Sequence, residues 1–159
     1  MPPQGASRID SPSRYRVLYF AEDPAIAVGE AFASRPVWME EMFEFPVLPD
    51  ARSSLITVQV DARVVDLDDA AALAERALRP SIVATPDRTV TQAWAARIFA
   101  EKRWAGIRWW SARDARWGVV GLWSLESIRI QRVEPLARDH DAVRRATALL
   151  KKRWAKKST

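Results

Sequence analysis

The chain has 159 residues, 48% apolar and 28% charged, the balance of a globular protein long enough to bury a core. It has no cysteine and one histidine, His140, which excludes a disulfide scaffold, thiolate metal sites and multi-histidine metal sites. The net charge of +5 is uneven: residues 141–159 hold seven of the 25 basic side chains and one of the 20 acids, so 1–140 is close to neutral.

Residues 1–14 are rich in Pro, Ser and Gly and read as loop, with no basic segment leading into an apolar one as in a signal peptide. No apolar run approaches the roughly 20 residues of a membrane span. A cytoplasmic location and no membrane partner are therefore expected. RVLYFA (16–21) has the branched and aromatic residues of a strand. Asp23 and Pro24 then supply a cap and a first residue for a helix that places Glu30 on the face of Ile26 and Ala27. Residues 35–50 mix prolines, aromatics and acids and read as an irregular connection. SSLITVQV (53–60) and ARVVDL (62–67) read as strands, DDAAALAERAL (68–78) as a helix and RPSIVATPDR (79–88) as loop. TVTQAWAARIFAEKRW (89–104) is the strongest helix, with Val90, Trp94 and Ile98 on one face and threonines as cap candidates. AGIRWWSA (105–112), WGVVGLWSL (117–125) and SIRIQRV (127–133) read as strands, and DAVRRATALLKKRWAKKS (141–158) as a basic amphipathic helix.

Strands and helices do not alternate strictly, so a doubly wound parallel sheet is not expected. The order fits an α+β fold with a mixed or split sheet flanked by helices. Eight tryptophans are enough both to fill a core and to line a pocket or interface.

The five glycines are scattered and form no phosphate loop, no serine sits in a Gly-x-Ser-x-Gly elbow, and His140 follows the last expected strand, which argues against a Ser-His-Asp triad. What remains is sparse: Arg8 ahead of the first strand, Tyr19 near its end, Glu30 on the first helix and Ser111 at the end of GIRWWS. Taken singly, each has an ordinary structural reading, as a solvated arginine, a core-edge tyrosine, a surface carboxylate and a strand-end serine.

Taken together, the set resembles the RES domain, a family named for its Arg, Glu and Ser positions. RIDSP, LYFA and DPAIAVGE give the spacing Arg-x10-Tyr-x10-Glu, followed by TQAWAARIFAEKRW, AGIRWWS and GVVGLW in the family's order over about residues 8–130. The resemblance implies an ADP-ribosyltransferase-like fold of the diphtheria-toxin type and a toxin of a bacterial toxin–antitoxin pair that splits the nicotinamide–ribose bond of NAD+. It implies a helix-turn-helix antitoxin as protein partner, with DNA reached only through it. Some members transfer ADP-ribose to a protein, and some use inorganic phosphate as co-substrate. Glu30 would stabilise the sugar cation, Tyr19 would stack on nicotinamide, Arg8 would bind a phosphate of the dinucleotide, and Ser111 would hydrogen-bond the ribose or the carboxamide. No metal and no cofactor beyond NAD+ is implied.

Two departures carry expectations of their own. Family members have a strand ahead of the arginine, and Arg8 stands almost at the start, so that strand is expected to be missing. Its loss would allow an inactive variant that keeps only antitoxin binding. Trp110, directly before Ser111, is expected to narrow the pocket. The organisation expected is a catalytic NAD-binding domain over 1–135 and a basic helix or tail over 141–159. That helix would be packed by Val143, Ala146, Leu149, Leu150 and Trp154, or would touch nucleic acid with strong salt dependence.

Overall fold

The computed structural model describes residues 5, 7–45, 48, 50–124, 126 and 128–155, so the end of the expected tail helix, 156–159, lies outside the described residues. The chain forms two compact units, one of Met1–Glu22 and Val60–Ile128, the other of Asp23–Gln59 and Arg129–Thr159. The architecture is α+β with mixed sheets, as the order of elements requires.

The first unit is built on a four-stranded sheet of order β1-β6-β5-β4, from β1 (Leu18–Ala21), β4 (Val64–Asp66), β5 (Gly106–Trp110) and β6 (Gly118–Leu122). β6 runs antiparallel to β1 and β5, and β4 runs parallel to β5. The register puts Tyr19, Gly121, Ile107 and Val65 in one row across the sheet, hence on one face. Gly121 is the close-approach position of that row. A Cβ there would run into Ile9 Cδ1 and stand 3.1 Å from Val17 Cγ1, so glycine lets the segment before β1 lie directly on the sheet.

Helices α2 (Ala70–Glu75), α3 (Pro80–Ala84) and α4 (Arg88–Ala100) complete this unit. Asp69 and Asp87 each accept a hydrogen bond from the backbone two residues on and so start α2 and α4, the latter capped by Asp87 rather than by a threonine. The loop expected over 79–88 contains α3, which has Pro80 in its first turn and a fully buried Val83, in a segment too short to show helical periodicity. Arg76, 8% exposed, locks α2 to α4 by a bidentate bond to Glu101 (2.9 and 2.7 Å), and Glu101 also accepts from Trp104 Nε1. Burial acts to raise the Glu101 carboxyl, but the Arg76 and Trp104 bonds outweigh it and hold the group below its ordinary value.

The second unit joins α1 (Pro24–Phe32) and α5 (Asp141–Leu149) to a core of Ala25, Val28, Trp38, Met42, Phe43, Leu136, Ala142, Val143 and Ala146. Asp23 caps α1 by accepting from Ala25 N at 2.7 Å, and His140 Nδ1 caps α5 by accepting from Ala142 N at 3.2 Å. The connection expected over 35–50 contains β2 (Val37–Trp38) and a 3-10 helix (Glu40–Phe43). β3 (Ser54–Val60) and β7 (Ile128–Pro135) pair as a two-stranded ribbon.

The tail helix is shorter than expected. α5 stops at Leu149, and Lys151 takes a left-handed conformation (φ 50°) that bends the chain into β8 (Arg153–Trp154), parallel to β2. Lys152 N donates to Thr147 O at 3.0 Å and Lys151 N to Ala148 O at 3.2 Å, the paired bonds of a Schellman turn. Trp154 thus packs from a strand, with its ring edge-on to Trp38 at 5.9 Å, and Leu149 is 51% exposed.

Candidate functional site

Arg8 lies in a tight turn that the first unit holds from several sides. Asp10, 2% exposed, accepts from Gly5 N and Ser7 N at 2.8 Å each through one carboxylate oxygen, and from the Tyr19 hydroxyl through the other. The Thr91 hydroxyl donates to Arg8 O, and Gln92 Nε2 donates to Ser7 O at 2.9 Å. Arg8 Nη2 donates to Val83 O of α3, which orients the guanidinium. The TQ dipeptide near the start of α4, Thr91 and Gln92, therefore clamps the turn that carries Arg8.

Tyr19 is joined to this turn through Asp10. Its ring meets Trp109 edge-on at 6.2 Å, and the residue is 39% exposed. Burial of its hydroxyl end, then the hydrogen bond and charge of Asp10, push the phenol well above its ordinary value, so Tyr19 stays neutral and its proton stays on the bond to Asp10. Tyr15 is pushed up to about 12 by burial and the Asp10 charge, and its hydroxyl donates to Ile9 O at 3.0 Å.

Ser111 is buried, and alternation along GIRWWS places Ile107, Trp109 and Ser111 toward the Tyr19 face. Its Oγ accepts from Arg113 N at 3.0 Å and its N donates to Trp117 O at 2.8 Å, so it also shapes the turn from β5 to β6. The same alternation places Trp110 away from Ser111. The Trp110 side chain leaves the opposite face of β5 and lines an open cleft of about 530 Å³ with Leu73, Pro80 and Ala84.

Arg8, Tyr19 and Ser111 thus belong to the first unit, connected through Asp10 and Trp109. Glu30 belongs to the second unit, half-buried on α1 beside the buried stripe of Ile26 and Gly29. Two groups important to the site's framework went unnoticed in the sequence. Asp10 anchors both the Arg8 turn and Tyr19, and its position inside RIDSP was its only signal. Arg108, in the middle of GIRWWS, bonds both Glu22 oxygens (2.6 and 3.0 Å) and Asp66 (2.9 Å), tying the end of β1 to β4 and β5. The Glu22 bonds first, then Asp66, hold its guanidinium charged above the ordinary arginine value. Gly118 leaves the space in which the Glu22 carboxylate reaches Arg108.

Among the described residues no group of three or more His, Cys, Asp or Glu side chains is placed to hold a metal ion, and no helix is long and apolar enough to cross a membrane. Comparison with curated proteins and with solved structures finds no match. The family model of the RES domain matches residues 1–146, which takes in the Arg8 turn, α1 with Glu30, Ser111 and most of α5. By that match the chain belongs to the RES-domain family.

Proposed function

We propose that this chain is the toxin of a bacterial toxin–antitoxin pair and that it cleaves the bond between nicotinamide and ribose in NAD+. The observation that carries the reading is membership of the RES family over 1–146, and the order and spacing of Arg8, Tyr19, Glu30 and Ser111, which resemble the family's motif, support it. Cleavage releases neutral nicotinamide with the bonding electron pair and leaves a cationic, oxocarbenium-like sugar, which water or inorganic phosphate captures at the anomeric carbon. In this reading the Glu30 carboxylate stabilises that cation. The neutral Tyr19 offers an aromatic face to the nicotinamide cation, Arg8 bonds a phosphate of the dinucleotide, and Ser111 bonds the ribose or the carboxamide.

The pinned turn around Arg8 supports the reading because a phosphate-binding guanidinium gains most when its direction is set before the ligand arrives. The mixed sheets are compatible with an ADP-ribosyltransferase-like fold, which we include in the proposal. So too are a cytoplasmic location, a helix-turn-helix antitoxin as partner, contact with DNA only through it, and NAD+ with or without phosphate as the small molecules involved.

The test is nicotinamide release from NAD+ by the purified chain, with and without phosphate, against Glu30→Gln. Release that vanishes in Glu30→Gln supports glycosidic cleavage, and dependence on phosphate identifies the acceptor. Absence of release from the folded wild-type chain refutes cleavage to water or phosphate. Labelling of a bacterial extract with ADP-ribose would then point to transfer onto protein by the same residues.

A further inference from the structure

We infer that the basic C-terminal segment braces α1 at both ends and thereby sets the position of Glu30, with Arg145 and Lys152 as positioning residues. This rests on the reading of Glu30 as the reacting carboxylate. It assigns two of the seven basic side chains that suggested a nucleic-acid tail to a task inside the second unit.

α1 needs outside support. It has nine residues, contains Gly29 next to Glu30, and has no basic side chain in its last turn to meet its carbonyl end. Helices below about 12 residues are marginal alone, and an interior glycine weakens them further. The support comes from α5 and the turn after it. At the N-terminal end, one Asp23 oxygen caps the helix through Ala25 N while the other accepts from Arg145 Nη2 at 2.6 Å, so the cap is fixed to α5. At the other end, Lys152 Nζ donates to Ala33 O and Arg35 O at 2.7 Å each, which puts a cation where the helix dipole is negative.

Between these bonds the helices meet through Ala25, Val28, Ala142, Val143 and Ala146, mostly small side chains that permit close approach. The Schellman turn at Lys151 is what carries Lys152 to the end of α1. A continued α5 would have taken Lys152 elsewhere. Glu30 lies three residues before the Ala33 carbonyl that Lys152 holds, so a looser last turn moves its carboxylate directly.

The experiment uses the full chain with Lys152→Met, Lys152→Arg and Arg145→Ala, and reads two quantities: steady-state nicotinamide release and hydrogen exchange of the α1 amides. Misplacing a reacting group by about 1 Å costs up to about 100-fold, so Lys152→Met should lower kcat by about 10- to 100-fold with KM within about twofold. Exchange of the Ala33 amide should speed up by about tenfold or more, while amides of β5 and β6 keep their rates. Lys152→Arg, which can donate to both carbonyls, should restore both readouts. Arg145→Ala should raise exchange at the Ala27 end and serves as the independent probe if Lys152→Met does not fold.

Unchanged α1 exchange in Lys152→Met and Arg145→Ala overturns the brace. Faster exchange with unchanged kcat overturns the positioning of Glu30. If the wild-type chain releases no nicotinamide, the functional reading fails, and the positioning role of Arg145 and Lys152 in catalysis falls with it. The exchange data then still decide whether α1 is braced.

Discussion

A single methyl group added at Gly121 should disturb the candidate site from beneath. Gly121 stands opposite Tyr19 on β6, and the new carbon would overlap Ile9 Cδ1 and lie 3.1 Å from Val17 and 3.2 Å from Trp109. Those side chains are 0%, 2% and 3% exposed, so none can swing into solvent. Overpacking of this kind costs about 1–3 kcal/mol, which for a chain of this size lowers Tm by roughly 3–10 °C. Ile9 sits between Arg8 and Asp10, so the strain should pass into the turn and weaken the bond from Tyr19 to Asp10.

The assay is urea denaturation of Gly121→Ala, Ile9→Val and the double variant. Ile9→Val alone should cost about 0.5–1.5 kcal/mol. Because it removes the colliding Cδ1, it should recover stability in the Gly121→Ala background, giving a coupling of about 1 kcal/mol or more. Wild-type stability in Gly121→Ala, or strictly additive costs in the double variant, would refute the packing of the Arg8 turn on Gly121.

Other consequences are open to direct measurement. The chain has only two tyrosines, and both phenols are held above their ordinary value. Absorbance at 295 nm should therefore show no tyrosinate near pH 10 while the chain stays folded. Raised folded-state values mean that this stabilisation is fully present below about pH 10 and is lost as pH rises through them, so tyrosine ionisation and unfolding should coincide on the alkaline side. An ordinary titration near 10 in folded protein contradicts the burial argument. Asp10→Ala strips Gly5 N, Ser7 N and the Tyr19 hydroxyl of their acceptor. It should cost about 1–3 kcal/mol by chemical denaturation, and the Tyr19 phenol should fall yet stay above 10, because burial is its larger cause. Lys151→Gly should stabilise by about 0.5–1 kcal/mol, since glycine takes a left-handed φ without the penalty of a side chain. A drop in Tm for that variant would contradict the turn geometry.

The starts of α1, α2 and α5, the central extended segments and the family are legible along the chain. Asp23 and Asp69 announce α1 and α2 because a capping bond reaches only two residues along the chain, so its chemistry is visible in a short window, whereas at α4 the threonines beside Asp87 offered the same chemistry and the structure chose the aspartate. Apolar β5 and β6 are visible in the same way. The order of Arg8, Tyr19, Glu30 and Ser111 carried the resemblance that the match over 1–146 establishes.

Helix ends were illegible, because α2, α4 and α5 are followed by Ala77, Lys102 and Lys151 in the left-handed conformation, where the usual signal is glycine. The surrounding fold, rather than local preference, holds those residues there. Tertiary structure alone decided that Trp38 would pair its strand with that of Trp154 more than a hundred residues away, a two-residue ladder with no local pattern. It alone decided that Asp10 would be the hub of the Arg8 turn. It alone turned Arg145 and Lys152 inward onto α1, because a cation's partner is set by which carbonyls and carboxylates folding brings within 3 Å, and that distance cannot be read from spacing along the chain.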